Sequence, residues 1–461
     1  MTATVAPGRS GPARPPRRAV FRPRRTLGWM PEVTRERWVR WRIGLAWALL
    51  VLNVLTFYST TWDGQPLLLP IPSVLGKLIA QGALPAALLV ALTVNRRLVI
   101  RPNVFLCLLF LMLLEAVLTL IRHEYLYETT FGTAFRTVRL AEFVATLWLL
   151  TPWWGRRDLL LIRCHLGAMT IVLSSVLLGL FVSPGHALSQ GRLSGTLWPT
   201  PPTQVAHYAA VTCGLMTLLW LCGRVSGRVA LGFVVVSAAI LLLTHTRTAL
   251  LALVVGVLIG GLSLFAAKSR VRKAFLTCLV VGGGIALTLS GVITHWLARG
   301  QDSQQLTNLT GRATVWNLVE TLPRNKFEVL FGFGLSNNSF NGLAIDSNWL
   351  ATYNDQGLFG IALVATLLIF LFVLAYFRPR GVHRALALFL VTYCLVASYT
   401  ETGLSQPSSY LLDMTLAASL LMVPVAAKRV GPVLPPLLAR PQRLPSLIGG
   451  PAGGPVGEGP G

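Results

Sequence analysis

The sequence predicts an all-α, polytopic integral membrane protein of about twelve transmembrane helices, with one large extracytoplasmic loop between the ninth and tenth. Three observations carry that expectation. Of 461 residues, 54% are hydrophobic and 12% charged, with a mean hydropathy of +0.64, so there are too few polar side chains to clothe a soluble fold. Apolar runs recur at close to the roughly 20 residues that a helix needs to cross the hydrocarbon. Basic clusters mark every second connection, the bias that holds a loop on the cytoplasmic side.

The chain opens on residues 1–42, where eleven arginines stand among prolines with only Glu32 and Glu36 to oppose them. This composition cannot bury a core and predicts a disordered cytoplasmic tail beside an anionic leaflet. The formal net charge of +24 lies in this tail and in alternate connections, which argues against a nucleic-acid partner and for the lipid bilayer. The transmembrane domain, residues 43–427, begins with a span at about 43–60. No small-residue cleavage site accompanies that span, so it reads as a retained anchor.

Spans follow at about 73–94, 104–121 and 137–152, with Arg96, Arg97 and Arg101 inside and residues 122–136 outside. Arg156, Arg157 and Arg163 mark the cytoplasmic start of the fifth, about 159–182. The sixth, about 203–222, is entered through Pro201-Pro202-Thr203 and left through Arg224 to Arg228. The seventh and eighth, about 229–244 and 248–267, share the tight turn Thr244 to Thr248, and Lys268 to Lys273 precede the ninth, about 274–293. Residues 294–356 then form the external loop, and spans at about 357–377, 383–400 and 409–427 close the domain around Arg378 to Arg384. Lys428 and Arg429 open a Pro/Gly-rich cytoplasmic tail, 428–461. Both termini are therefore expected in the cytoplasm, with the plasma (inner) membrane as the location. No internal repeat is evident, which weighs against a transporter of two paired halves.

Chemistry is expected on the outer face, where isolated arginines depart from the charge rule. Arg247 sits in a turn so short that its guanidinium must stay at the membrane boundary, beside the outward N-terminus of the next helix. With Arg192 in Gly191-Arg-Leu-Ser-Gly195 and Arg312 after Gly311, it makes a candidate site for a phosphate or diphosphate. Snorkelling onto lipid headgroups is the plainer reading of each. Arg139 and Glu142, three apart, can neutralise each other. Glu115, within the third span, is protonated, paired across helices or functional. His245 can contact a bound anion or simply end a helix. The six cysteines fall in or beside spans without paired spacing, so neither disulfides nor a metal site is expected, and no cofactor motif is present.

These pieces together resemble the O-antigen ligase and polymerase superfamily of bacterial membrane glycosyltransferases. The matching segments are Gly191-Arg192-Leu-Ser-Gly195, Thr246-Arg247-Thr-Ala-Leu-Leu, Gly311-Arg312 with Trp316, Phe331-Gly-Phe-Gly334 and Gln356-Gly357-Leu-Phe-Gly360, within residues 190–370. The resemblance implies metal-independent, inverting transfer of a glycan from a polyprenyl diphosphate to a glycan or lipid acceptor, with Arg192, Arg247 and Arg312 on the diphosphate. The family's usual loop histidine is replaced by Asp346, which can act as the acceptor's base beside Arg247 or cap the loop. Asp355 reads as the cap of the tenth span. The expected function is thus a transferase on the outer face, ligase or polymerase of a cell-surface polysaccharide. The rival is a non-catalytic flippase or exporter of lipid-linked glycans, which needs charges continuing through the spans. Single cysteines at Ser303 and Ser339 are expected to react with an impermeant thiol reagent in intact cells, and one at Ser269 to stay protected. The reverse pattern would overturn the topology.

Overall fold

The computed structural model describes residues 32–57, 71–122, 129–188, 191–288, 290–291, 312–340 and 343–423. Most of both expected tails, and the expected external loop up to Gly311, lie outside the described residues. The elements are α1 Glu32–Val54, α2 Ser73–Val94, α3 Val104–Arg122, α4 Thr130–Leu150, α5 Leu160–Val182, the single turn α6 Pro184–Ala187, α7 Pro202–Leu221 and α8 Gly227–Leu243. They continue with α9 Arg247–Phe265, α10 Ser269–Thr288, α11 Arg312–Thr321 and α12 Lys326–Phe331. After the small antiparallel pair β1 Ser339–Phe340 and β2 Leu343–Ala344 come α13 Asn348–Phe377, α14 Val382–Ala397 and α15 Ser409–Leu421.

Among the described residues α2, α3, α5, α7, α9 and α13 are long and apolar enough to cross a membrane, and α8, α14 and α15 are apolar but shorter. The start of the first helix corrects the expected tail. It forms from Glu32, because Glu36 and Arg40 bond one turn apart at 2.8 Å. The same two side chains reach Arg156 at 3.3 Å and Asp158 at 3.5 Å, tying α1 to the start of α5. Each such exposed pair contributes little, because water screens it. Together they align the helix.

The centre of the bundle is α14, whose side chains from Ala385 to Cys394 are all buried. It can sit so deep because α9 presents Gly256 and Gly260, one turn apart on a single face, where added Cβ atoms would come within 2.9 Å of Phe389 Cδ2 and Ala385 O. Small residues let the backbones approach, and dispersion over the close contact holds them. This packing brings the start of α9 against the connection that leaves α14, where Thr400 bonds Thr248.

The tenth expected span, from about 357, begins at a kink inside a longer helix. Helix α13 starts at Asn348, with Ser347 before it, rather than at 357, and it kinks where Gly357 takes φ +61° and ψ −159°. Opposite lies Gly332 at φ +70°, closing α12, a helix begun by the reciprocal Asn325–Glu328 capping box. Backbone bonds Phe333 N to Asn354 O and Gly334 N to Asp355 O, both 2.9 Å, lock the two segments. A Cβ at Gly332 would strike Asp355 and Gln356, and one at Gly357 would strike Leu330 and Phe331. The Phe331-Gly-Phe-Gly334 and Gln356-Gly357 motifs are therefore the two sides of one contact. Gly357→Ala forces a conformation essentially open to glycine alone, at ~1–3 kcal/mol before the collision is counted. A clear drop in melting temperature in detergent is expected, whereas Gly167→Ala in α5, where a Cβ meets open space, should leave it unchanged or raise it. Equal behaviour of the two variants would refute this contact.

Candidate functional site

The connection between α14 and α15, residues 398–408, gathers the pieces. Asn348, opening α13, donates its N–H to Ser398 O at 3.0 Å, and its side-chain oxygen accepts from Gly403 N at 3.1 Å and Leu404 N at 2.8 Å. Thr400 donates to Thr248 Oγ1 at 2.8 Å, which fastens the connection to the first turn of α9. Trp316 of α11 meets Tyr399 edge to face, 5.6 Å between ring centres. Gln406 donates to Asp355 Oδ2 at 2.8 Å and to Ser336 O at 3.2 Å.

Asp355 is not the helix cap expected. It is fully buried and accepts from Ser336 N at 3.0 Å, Ser336 Oγ at 2.7 Å, Asn354 Nδ2 at 3.2 Å and Gln406, because a buried carboxylate must be hydrogen-bonded to persist. It pins the loop ahead of the β pair to the 398–408 connection.

The four residues singled out by sequence fall around this frame. Half-buried Arg192 donates through Nε to Thr244 O at 3.0 Å and through a terminal nitrogen to Thr246 Oγ1 at 3.2 Å, so it is docked on the α8–α9 turn. Within that turn His245 takes a left-handed φ of +50°, and Arg247 is the first residue of α9. Arg312, the first residue of α11, donates from Nε to Asp346 Oδ2 at 3.0 Å. Burial lowers the Arg192 pKa, with Glu401 raising it and Arg312 lowering it. The guanidinium groups of Arg192 and Arg312 are therefore close enough to repel.

Glu401 was missed by sequence reasoning. Half-buried, it feels burial first, then Arg312, Asp346 and Arg192, and the balance pushes its carboxyl up to about 7. Two arginines thus face two carboxylates, with Arg247 on the adjoining turn. Glu401 also lines a cavity of about 240 Å³, walled by Gln204, His207, Asn338, Gln406 and Tyr410 among others. The available signal was scarcity, since only 16 acidic residues accompany 40 basic ones and an acid beside a span end stands out.

Below the cavity lies a second unexpected group. Trp47 Nε1 donates to His165 Nδ1 at 3.2 Å, which leaves the proton of that imidazole on Nε2, 3.1 Å from Asp413 Oδ1. His207 Nε2 stands 3.2 Å from the other Asp413 oxygen, and its ring packs 4.3 Å from that of Tyr410. An acid within an apolar span was the signal that singled out Glu115, and Asp413 carries the same signal. Glu115 itself is buried in α3, with Gln356 of α13 as its neighbour across the helices. Arg324 is held between the rings of Phe333 and Tyr353, at 4.6 and 4.4 Å.

No family model matches this chain, and no curated protein does. The site is therefore described by its own geometry. Asp355→Ala should cost about 2–4 kcal/mol by stranding the Ser336 and Gln406 donors. Hydrogen exchange should accelerate at 334–338 and 403–408 together. Acceleration confined to one of these segments would show that Asp355 does not join them.

Proposed function

We propose that this chain is a membrane glycosyltransferase of the O-antigen ligase and polymerase kind, moving a glycan from a polyprenyl diphosphate to an acceptor hydroxyl at the outer face of the plasma membrane. In this reading twelve helices span the bilayer, both termini are cytoplasmic, and residues 294–356 are external. The observation that carries it is that Arg192, docked on the Thr244–Thr248 turn, and Arg312, bonded to Asp346, both act on the Glu401 carboxyl, with Arg247 opening α9 from the same turn.

A diphosphate leaving group takes on charge as its bond to the sugar breaks. Guanidinium forks bond two oxygens at once, and the free N–H groups opening α9 add positive potential at the same place. Such preorganised countercharge lowers the barrier for departure without a metal ion. The acceptor oxygen attacks the anomeric carbon from the opposite face, which inverts it, and its proton goes to a carboxylate of the site. Sequence resemblance puts Asp346 in that role.

The exporter reading draws on one observation, the ionisable set His165, Asp413 and His207 within the helices. His165 and Asp413 are 1% and 0% exposed and do not line the cavity, so a headgroup entering it would meet His207 alone of the three. Transfer remains the better account.

Arg247→Lys keeps the charge and loses the fork, so transfer is expected to fall roughly 10- to 100-fold with insertion intact. Arg192→Ala and Arg312→Ala are expected to impair it too. The measurement is accumulated lipid-linked glycan in a deletion strain carrying each variant. Normal glycan with the lysine variant would return Arg247 to the lipid-headgroup reading. Shortened chains in the deletion strain would indicate a polymerase, and unattached full-length chains a ligase.

A further inference from the structure

We propose that Glu401 takes the proton of the acceptor hydroxyl and that the cavity beside it seats the acceptor sugar; this rests on the transferase reading. A base for this reaction must touch the acceptor and stand next to the diphosphate clamp. Glu401 meets both conditions. It forms part of the wall of the 240 Å³ cavity, and the charges of Arg312 and Arg192 act on it through space.

The cavity suits a sugar. Thr203, Asn338, Thr402, Gln406 and Ser409 offer hydroxyls and amides along its walls, and Tyr410 offers a ring on which a sugar face can lie. Its volume is below the ~300–1,000 Å³ of sites enclosing drug-sized ligands, which fits one terminal residue of a longer acceptor. Gln204 closes one side, bonded to Val54 O at 2.7 Å and accepting from Thr56 N at 2.9 Å.

Asp346 acts on Glu401 but does not face the acceptor. It is not on the cavity wall, and one of its oxygens accepts from Arg312 at 3.0 Å. That bond makes it a positioning residue for Arg312. In the step itself the acceptor oxygen bonds to the anomeric carbon as the bond from that carbon to the diphosphate oxygen breaks. The electron pair leaves on the diphosphate, the hydroxyl proton passes to a Glu401 oxygen, and solvent later takes it from the cavity. Facing Glu401 are Arg192, Arg312 and Asp346, with His207 and Tyr410 on the shared wall. Their balance leaves the carboxyl able to accept a proton near neutral pH.

The test compares the full chain, wild type against Glu401→Gln, Glu401→Asp and Asp346→Asn, reading transfer in the deletion strain and binding of polyprenyl diphosphate by purified protein in nanodiscs. Glu401→Gln should lower transfer about 10²- to 10⁴-fold. Its affinity for polyprenyl diphosphate should be equal or tighter, because a carboxylate competing for Arg192 and Arg312 is gone. Asp346→Asn should lower transfer less than Glu401→Gln does, through a looser Arg312, and should leave the acid limb of the pH profile in place. Activity of wild type should fall as pH drops through about 7, and Glu401→Asp should keep an acid limb, while residual activity of the Gln variant should show none. A merely structural Glu401 would instead weaken binding or melting and leave the pH profile in place. Transfer by Glu401→Gln within threefold of a working wild type overturns this assignment alone. If wild type binds no polyprenyl diphosphate and deletion leaves lipid-linked glycans unchanged, the transferase reading falls and takes this proposal with it. Should the Gln variant fail to insert, the Asp variant decides, since a wild-type rate without an acid limb overturns the assignment.

Discussion

A buried carboxylate organises one end of this protein. Asp355, fully enclosed, would cost several kcal/mol if left unbonded, so the chain folds donors onto it from both sides. Ser336 comes from the loop after α12 and Gln406 from the connection after α14. Once these are joined, Asn348 holds Gly403 and Leu404, and Thr400 reaches Thr248 at the start of α9. The positions of Arg247, Arg312, Asp346 and Glu401 follow from that closure. Remote helices thereby contribute to a single polar surface.

The charges there are arranged in partial opposition. Arg192 and Arg312 repel each other, and Glu401 with Asp346 offsets part of that repulsion. A site made of arginines alone would be costly to hold at a membrane boundary. A site with its charges fully paired would have nothing left for a ligand. Here Arg192 spends its bonds on neutral oxygens of Thr244 and Thr246, which orient the guanidinium without cancelling its charge. An anion reaching this surface would meet a positive field already in place.

The two glycine contacts serve the same end by different means. Gly256 and Gly260 bring α9 against α14 inside the bundle, and Gly332 and Gly357 bring α12 against the kink of α13 at its rim. In both, the missing Cβ permits an approach that no other residue allows. The first contact sets the depth of the arginine turn. The second sets the angle at which the segment carrying Asp346 enters α13.

By itself the sequence determined the helical, lipid-adapted class, because hydropathy and span length are local sums over neighbouring residues. A helix stands at each position where an apolar span was expected, and six of these meet the length and apolarity needed for crossing. Arg247 at a helix start and the tight turn before it were legible for the same reason, being features of five consecutive residues. The early start of α1, by contrast, depended on Arg156 and Asp158, and the buried role of Asp355 on Ser336 and Gln406. Asp413 needed His165 and His207 from two other helices. Glu401 acquired its character from burial, tempered by Arg312 and Arg192 brought near it. Tertiary structure decided these because the field and hydrogen bonding at a carboxylate come from residues near in space, and separation along the chain does not encode that distance.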